Sequence, residues 1–201
     1  MRLTPAAAQR YDAWYDSARG RWIAATECAL LLRLLRPAPP ATLLDAGSGS
    51  GRFSHCFAAA GLDVVSLDPD PAMLAVAQRR APPLPAVRGD ALALPFGDGS
   101  FDYAAAVTSL CFVEPPGRAL AELWRVCRRG VVLGLLNRHS LLHYRKRGHG
   151  GYRGARWDSV EDVVRWSAGL LPQPVLSFGS AVFVPGGGRC ARWIEARLPP
   201  A

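Results

Sequence analysis

The stretch that decides the fold is Leu43-Leu44-Asp45-Ala46-Gly47-Ser48-Gly49-Ser50-Gly51, in which an apolar run and an aspartate lead into three glycines that alternate with small residues. This pattern is typical of a strand that breaks into a tight turn before a helix. Glycine permits positive φ and lets backbone N–H groups approach a ligand without a Cβ in the way. The stretch therefore predicts a loop that binds a nucleotide-like ligand.

The spacing of the glycines excludes the common dinucleotide-binding fingerprint. That fingerprint is G-x-G-x-x-G, with an acidic residue about 20 positions further on. Here the glycines are Gly47, Gly49 and Gly51, and Arg52 stands where the third fingerprint glycine is required. The pattern is instead D-x-G-x-G-x-G, beginning at Asp45.

Four further segments follow this loop in order along the chain. Residues 64–68 (VVSLD) predict a second strand that ends in Asp68, whose two carboxylate oxygens can accept both hydroxyls of a ribose. The other three are 88–91 (RGDA), 101–103 (FDY) at the start of a predicted strand, and 121–126 (AELWRV) in a predicted helix.

The loop and these segments together resemble the motifs of the class I S-adenosylmethionine-dependent methyltransferases, in the ubiquinone/menaquinone C-methyltransferase-like (type 11) branch. The resemblance covers about residues 40 to 137. It implies an α/β, doubly wound, Rossmann-like sheet of seven mostly parallel strands, with helices on both faces and an antiparallel C-terminal strand. It also implies S-adenosylmethionine as the cofactor.

The resemblance assigns cofactor-binding roles by position. Asp68 is expected to bind the ribose, Asp90 and Ala91 the adenine, and Thr108 with Tyr11 the methionine end. The remaining expected cofactor contacts are Asp45, Gly47, Ser48, Gly49, Gly51 and Pro69.

Residues 138–157 have the most distinctive local composition, because arginines, histidines and aromatic residues alternate there with glycines. His139 and His143 are four apart, but Ser140 stands where the zinc motif H-E-x-x-H needs glutamate, so no metal site is predicted. Three interpretations stay open. The segment is either a basic lid that covers an anionic acceptor or a solvated glycine-rich loop; a less favoured third interpretation is an RNA-binding segment.

The reaction expected from this resemblance is methyl transfer to a small-molecule acceptor, an anionic one being an option. A general base is needed only if the acceptor loses a proton during transfer, and His139, His143 and Tyr144 are the weak candidates. Residues 108–111 (TSLC) lack the N/D-P-P-Y/F box of enzymes that methylate DNA amino groups. Two alternatives remain: an RNA or protein methyltransferase that uses 138–156, and a nucleotide-binding protein of this fold without methyltransferase activity.

The length and composition favour a single domain over 1–201, because 201 residues with 50% hydrophobic side chains can bury one core. Within it we expect cofactor-covering helices at 1–40, the cofactor-binding core at 41–137, the basic segment at 138–157, and a C-terminal helix and hairpin at 158–201. The hairpin strands are predicted at 174–184 and 190–198, after a fifth strand at 130–137.

The sequence also suggests a location and partners. No apolar run is long enough to span a membrane and no signal segment is evident, so a cytoplasmic location is expected. The five cysteines contain no C-x-x-C pair and are expected to be buried thiols. The net charge of +8 leaves nucleic acid as a less favoured partner beside a small molecule. The oligomeric state is not predicted.

Overall fold

Five parallel strands form the sheet, in the order β3-β2-β1-β4-β5. They are β1 (Ala41–Ala46), β2 (Leu62–Asp68), β3 (Ala86–Arg88), β4 (Phe101–Val107) and β5 (Cys127–Gly134). The computed structural model describes residues 3–183, 186 and 188–197. The order reverses direction between β1 and β4, which is where open α/β sheets bind their ligands, outside the carboxyl ends of the strands.

Eight helices precede, connect or follow the strands in the described residues. They are α1 (Pro5–Trp14), α2 (Ala18–Leu35), α3 (Arg52–Ala59), α4 (Pro71–Ala77), α5 (Pro116–Val126), α6 (Leu141–Lys146), α7 (Val160–Ser167) and α8 (Arg189–Glu195). Two short 3₁₀ turns lie at Leu110–Phe112 and Gly150–Tyr152. None of the described helices is long and apolar enough to cross a membrane.

The hydrophobic core lies on both faces of the sheet. Leu43 and Leu44 of β1 are both fully buried, and because successive strand residues point to opposite faces they enter different clusters. Leu43 packs in the cluster that contains Leu31 of α2 and Phe57 of α3, and Leu44 packs in the cluster that contains Leu123 of α5. Full burial of a side chain such as Phe57 contributes about 2–3 kcal/mol.

Local sequence explains where several helices begin. Asp70 caps α4 by accepting a hydrogen bond from the Ala72 amide, and Pro71 occupies the first helical position, where no N–H donor is needed. Ser159 caps α7 in a capping box with Asp162.

The predicted seven-stranded sheet with an antiparallel strand is wrong, because the described residues form a sheet of five strands, all parallel. Described residues of 174–184 contain no strand, and α8 replaces the second strand of the predicted hairpin. Pro174 has no N–H to give a ladder, and the Glu195 carboxylate accepts the amides of Val182 and Phe183. Val184 and Leu198, at the ends of the predicted strands, lie outside the described residues.

The fifth strand begins and ends three residues earlier than the predicted 130–137. The apolar run did not indicate Arg128 and Arg129 as strand residues. Both lie at the start of β5, where their guanidinium groups pair with Asp102 of β4 at 3.2 and 3.6 Å. Charged residues can occupy this end of the strand because they meet a carboxylate there.

The chain leaves the sheet after β5 and returns to it at one place. Asn137 and Asp158 form an isolated parallel bridge, in which the Asp158 amide donates to the Leu136 carbonyl at 2.8 Å. The Arg138 amide donates to the Asp158 carbonyl at 3.0 Å. Residues 138–157 are therefore an excursion whose two ends are fixed side by side.

The expectation that all cysteines are thiols is wrong for one pair. Cys28 of α2 and Cys56 of α3 form a disulfide, with 6.4 Å between their Cα atoms. Their sequence separation of 28 gave no signal, because the pairing depends on how the two helices pack. Cys111, Cys127 and Cys190 are free.

Candidate functional site

The loop after β1 and the turn after β4 meet at the point where the strand order reverses. The Ser109 hydroxyl donates a hydrogen bond to the Ala46 carbonyl at 2.9 Å. Gly47 has φ +74°, and a Cβ added to it would lie 2.3 Å from the Ser109 Cβ. Only glycine therefore permits this contact between the two loops.

The next two glycines of the loop have different surroundings. A Cβ on Gly49, where φ is +55°, would meet nothing nearer than the Met73 Cε at 4.0 Å, so this side of the loop is open. Gly51 begins α3 with φ +76°, and a Cβ there would lie 3.1 Å from the Ala77 Cβ. Gly51 thus allows close packing of the loop on α4, whereas Gly49 leaves room for a ligand.

The end of β2 holds the loop in place. The Gly47 and Ser48 amides donate to the Leu67 carbonyl at 2.7 and 3.0 Å, and the Gly49 amide donates to Asp68 Oδ2 at 2.8 Å. The Ser48 hydroxyl is buried and has no partner among the described residues. The loop is therefore pre-formed, with one polar atom left for a ligand.

Asp68 lies at the carboxyl end of β2 and is only 7% exposed. Its Oδ1 accepts the Asp70 amide at 2.8 Å, so each carboxylate oxygen accepts one backbone hydrogen bond. Burial raises the pKa of Asp68, against the opposing effect of these two amides. A carboxylate offers about four acceptor positions, so two remain for hydroxyl donors.

Asp45 lies beneath the loop and not on its open side. It is 1% exposed, and its Oδ2 accepts the Ser54 hydroxyl at 2.6 Å. The Ser66 hydroxyl in turn donates to the Ser54 oxygen at 3.0 Å. Burial raises the pKa of Asp45 to about 6. This buried chain of polar groups ties β1, β2 and α3 together.

The remaining predicted cofactor contacts of the core line the same edge of the sheet. Pro69 is exposed directly after Asp68. Asp90 is exposed and accepts the Leu92 amide at 2.9 Å, while Ala91 is buried in the core. Thr108 has φ +49°, a conformation uncommon for a non-glycine residue, and its amide donates to the Gly134 carbonyl at 2.8 Å.

Helix α1 is attached to the loop region by charged residues. Asp12 forms an ion pair with Arg80, whose Nε donates to the Ser50 carbonyl at 2.7 Å. Asp16 accepts from Arg52 at 2.9 Å. The Tyr11 hydroxyl therefore belongs to a helix that is fixed beside the glycine loop.

The three candidate bases differ in exposure. His139 is exposed and Tyr144 is 83% exposed, so neither is shielded from water. His143 is half-buried, with its ring centroid 5.1 Å from that of Trp157, and its Nδ1 is buried without a partner in the described part of the chain. No group of three His, Cys, Asp or Glu side chains able to hold a metal occurs among the described residues.

Two arginines of the basic segment have structural partners. Arg156 Nε contacts Asp158 Oδ1 at 2.6 Å, and its Nη1 and Nη2 donate to the carbonyls of Val113 and Leu110 at 2.8 and 2.9 Å. Arg138 pairs with Asp162 at 2.8 Å. Four cations of the segment have no side-chain hydrogen bond or ion pair with any described residue, namely Arg145, Lys146, Arg147 and Arg153.

The E-L-x-R-V motif of α5 contacts a loop and not an open site. Arg125 pairs with Glu122 at 2.8 Å and donates to the carbonyls of Phe96 and Leu94 at 2.9 and 3.3 Å. Glu122 accepts the Leu94 amide at 2.8 Å, and Arg125 lowers the pKa of Glu122. The motif fixes the segment between β3 and β4.

Sequence reasoning missed two charged residues of α2. Glu27 has no hydrogen bond or ion pair with any described residue, and burial raises its pKa to about 7. The Arg19 Nε is buried and without a partner among the described residues. The available signal was the apolar run 24–35, which Glu27 and Arg33 interrupt.

Several known proteins similar to this chain are named methyltransferases. A family model described as a methyltransferase domain (type 11) matches residues 44–135. A demethylmenaquinone methyltransferase of Renibacterium salmoninarum is 45% identical over 95 residues, covering 47% of this chain and 40% of that protein. One of Beutenbergia cavernae is 40% identical over 127 residues, covering 61% of this chain and 51% of that protein. The chain spans about half the length of these curated relatives.

A solved structure from Thermotoga maritima is similar over more of the chain. It is described as a SAM-dependent methyltransferase, possible histamine N-methyltransferase. Its TM-score is 0.67 at 27% identity, and the match covers 79% of this chain and 74% of that one.

Proposed function

Because the chain belongs to the class I methyltransferases of type 11, we propose that it transfers a methyl group from S-adenosylmethionine to a small-molecule acceptor. The observation that carries the proposal is the crevice at the strand-order reversal. There the glycine loop, Asp68 and the turn after β4 converge, and Gly49 leaves its side of the loop open.

The residues of this crevice fit the parts of S-adenosylmethionine. Asp68 has acceptor positions left for the ribose hydroxyls, and the unpartnered Ser48 hydroxyl offers a further hydrogen bond. Asp90 and Ala91 are assigned to the adenine, and Thr108 with Tyr11 to the methionine end. The bound cofactor would supply an electrophilic methyl group on its sulfonium.

The task of the protein in such a reaction is to align the acceptor with that methyl group and to exclude water. Helix α1 contributes to this because its ion pairs with Arg52 and Arg80 hold it beside the loop. The aromatic rings of Tyr11 and Tyr15, whose hydroxyl oxygens are 3.3 Å apart, lie in and directly after this helix.

For the acceptor we favour an uncharged aromatic compound of the quinol type. The demethylmenaquinone methyltransferases among the relatives support this class, and so do the aromatic rings of Tyr11, Tyr15, Tyr152 and Trp157. An anionic acceptor is the second candidate: Arg138 and Arg156 pair with carboxylates of the chain, but Arg145, Lys146, Arg147 and Arg153 have no such partner among the described residues.

The test is calorimetric binding of S-adenosylmethionine, S-adenosylhomocysteine and NAD to the wild-type protein and to Asp68→Asn. We expect micromolar binding of both adenosyl ligands, none of NAD, and an affinity at least about tenfold lower in the variant, since a charge-assisted hydrogen bond contributes about 1.5–3 kcal/mol. The matched control is Asp63→Asn, which changes an exposed aspartate on the same strand. Absence of adenosyl binding in the wild-type protein would refute the proposal.

A further inference from the structure

The excursion over residues 138–157 carries a high density of positive charge and no acidic residue. It contains five arginines and one lysine, but no aspartate or glutamate. Arg138 and Arg156 pair with carboxylates that lie outside the segment. The other four cations are exposed and have no side-chain partner among the described residues, namely Arg145, Lys146, Arg147 and Arg153. A surface of this kind favours association with an anionic partner.

The inner side of the excursion packs on the end of the sheet. The rings of His143 in α6 and Tyr152 in the second 3₁₀ turn lie against Trp157, with their centroids 5.1 and 5.5 Å from its own. Trp157 is 6% exposed and belongs to a small core with Cys111 and Leu136. Because α6 and the 3₁₀ turn pack on the same ring, they are neighbours. Their exposed residues therefore lie on one outward-facing surface.

Helix α6 exposes apolar side chains among these cations. Leu141 is 58% exposed and Tyr144 is 83% exposed. The two are three residues apart and Arg145 is four residues after Leu141, so all three lie on one face of the helix. The outer surface of the excursion consists of Leu141, Tyr144, Arg145, Lys146, Arg147 and Arg153.

A small anion and RNA both fit this outer surface less well than a bilayer does. Small-molecule sites are concave, whereas a Cβ added to any glycine of residues 148–154 would meet no described atom within 4 Å. Single-stranded RNA is bound through several aromatic rings on which bases stack. Tyr152 is half-buried and Trp157 is buried, so Tyr144 is the one tyrosine or tryptophan of the excursion that is exposed.

We propose that the outer surface of the excursion docks the protein on a bilayer that carries anionic lipids. Basic side chains beside an exposed leucine and tyrosine are typical of segments that bind at a membrane interface. The cations attract lipid phosphates, and the apolar side chains enter the headgroup region. Neither contribution alone gives stable binding, so the two act together.

Arg156 fixes this surface beside the carboxyl edge of the sheet. Its Nη1 and Nη2 donate to the carbonyls of Val113 and Leu110, in the segment that follows β4, at 2.8 and 2.9 Å. Docking therefore brings the crevice at this edge close to the bilayer, where an apolar acceptor would be concentrated. This consequence rests on the function proposed above, whereas the docking itself does not depend on it.

The experiment is co-sedimentation of the protein with vesicles made of equal parts of phosphatidylcholine and phosphatidylglycerol, and with vesicles of phosphatidylcholine alone. The test variant is the triple substitution Arg145→Gln, Lys146→Gln and Arg147→Gln. The matched control removes the same charge from exposed residues of α2, α4 and α8, by Arg33→Gln, Arg79→Gln and Arg189→Gln.

We expect the wild-type protein to sediment with the anionic vesicles only, and less so as the salt concentration is raised. The test variant should bind about 100-fold more weakly, since each basic residue at an anionic surface contributes about fivefold. The control variant should stay within about threefold of wild type, because its charges lie away from the docking surface.

A double variant, Leu141→Gln with Tyr144→Gln, tests the apolar contribution. We expect it to bind anionic vesicles at least about tenfold more weakly, since its glutamines cannot enter the headgroup region as an apolar side chain does. Thermal melts followed by circular dichroism should match wild type in every variant, because all the substituted side chains are exposed. Binding of a single-stranded uridine oligonucleotide is measured in parallel.

Four outcomes would overturn the docking proposal. They are no sedimentation of the wild-type protein with either vesicle, equal sedimentation with both, equal losses in the test and control triple variants, and tighter binding of the oligonucleotide than of anionic vesicles. In each case, binding of S-adenosylmethionine by the wild-type protein would leave the proposed function standing.

Discussion

Single glycines of the loop differ in what surrounds them. Gly47 allows the loop to contact Ser109, whereas Gly49 faces open space. Both have positive φ, so the conformational penalty of a side chain is similar, and the difference between them is steric. This makes the two positions a matched pair for mutation.

We expect Gly47→Ala to lower the free energy of unfolding by more than about 3 kcal/mol, since its Cβ would overlap Ser109 in addition to the φ penalty. Gly49→Ala should lower the free energy of unfolding by only about 1–2 kcal/mol, because the positive φ is the only unfavourable feature for a side chain there. It should nevertheless weaken S-adenosylmethionine binding. Urea denaturation and calorimetry measure the two effects. Equal losses of stability in both variants would contradict the assigned contacts.

The residues that could be predicted from sequence are those whose role depends on near neighbours. Gly47, Gly49, Gly51 and Asp68 lie where a strand passes into a turn, and the structure brings them together at one edge of the sheet. The disulfide between Cys28 and Cys56 could not be predicted, because it depends on how α2 and α3 pack against each other.

At the scale of elements, α1 is held mainly by polar contacts. Its buried residue is Ala8, so it gains little from apolar burial. Its attachment comes from Asp12, which pairs with Arg80 and lies 3.7 Å from Arg52, and from Asp16 just after the helix, which pairs with Arg52 at 2.9 Å. We expect a helix attached in this way to open more readily than the sheet.

We expect Arg80→Ala to loosen α1, because the variant loses both the ion pair with Asp12 and the hydrogen bond to the Ser50 carbonyl. Amide hydrogen exchange in Pro5–Trp14 should become about tenfold faster, which corresponds to a decrease of about 1.4 kcal/mol in the free energy of opening the helix. Arg79→Ala is the control, since Arg79 is exposed and has no described partner. Unchanged exchange in Arg80→Ala would show that α1 is attached by other contacts.

Strands and helices were predicted well from the sequence where the apolar residues follow a single periodicity. Strand β2 ends at Asp68 as expected, and α4 begins at Pro71, directly after its capping residue Asp70. The C-terminal hairpin was predicted incorrectly, because a short run with apolar residues suits strand and helix alike. The contacts of α8 decided the outcome, with Glu195 capping the amides of Val182 and Phe183 and Arg192 lying 5.8 Å over the Trp22 ring.

At the scale of the whole molecule, a disulfide joins two helices that pack on the same face of the sheet. The disulfide between Cys28 and Cys56 connects α2, which carries Glu27, to α3, which follows the glycine loop. Closing a loop with a sequence separation of 28 restricts the unfolded chain and stabilises the fold by up to about 4 kcal/mol.

We expect protein unfolded without reductant to show three reactive thiols, and five after reduction, by a colorimetric thiol assay. The reduced protein should unfold at a lower denaturant concentration. Cys190→Ser is the control, because it removes an exposed free thiol and should leave the effect of reduction unchanged. Five reactive thiols before reduction would show that the bond is absent.

The excursion that begins after Asn137 and ends at Asp158 has a consequence for how such proteins diversify. Its two ends are joined by one bridge, and the β5 ladder is complete before it starts. An evolving chain can therefore lengthen, shorten or exchange this segment at little cost to the sheet. A change in the length or sequence of this segment can thus leave the glycine loop and the end of β2 as they are.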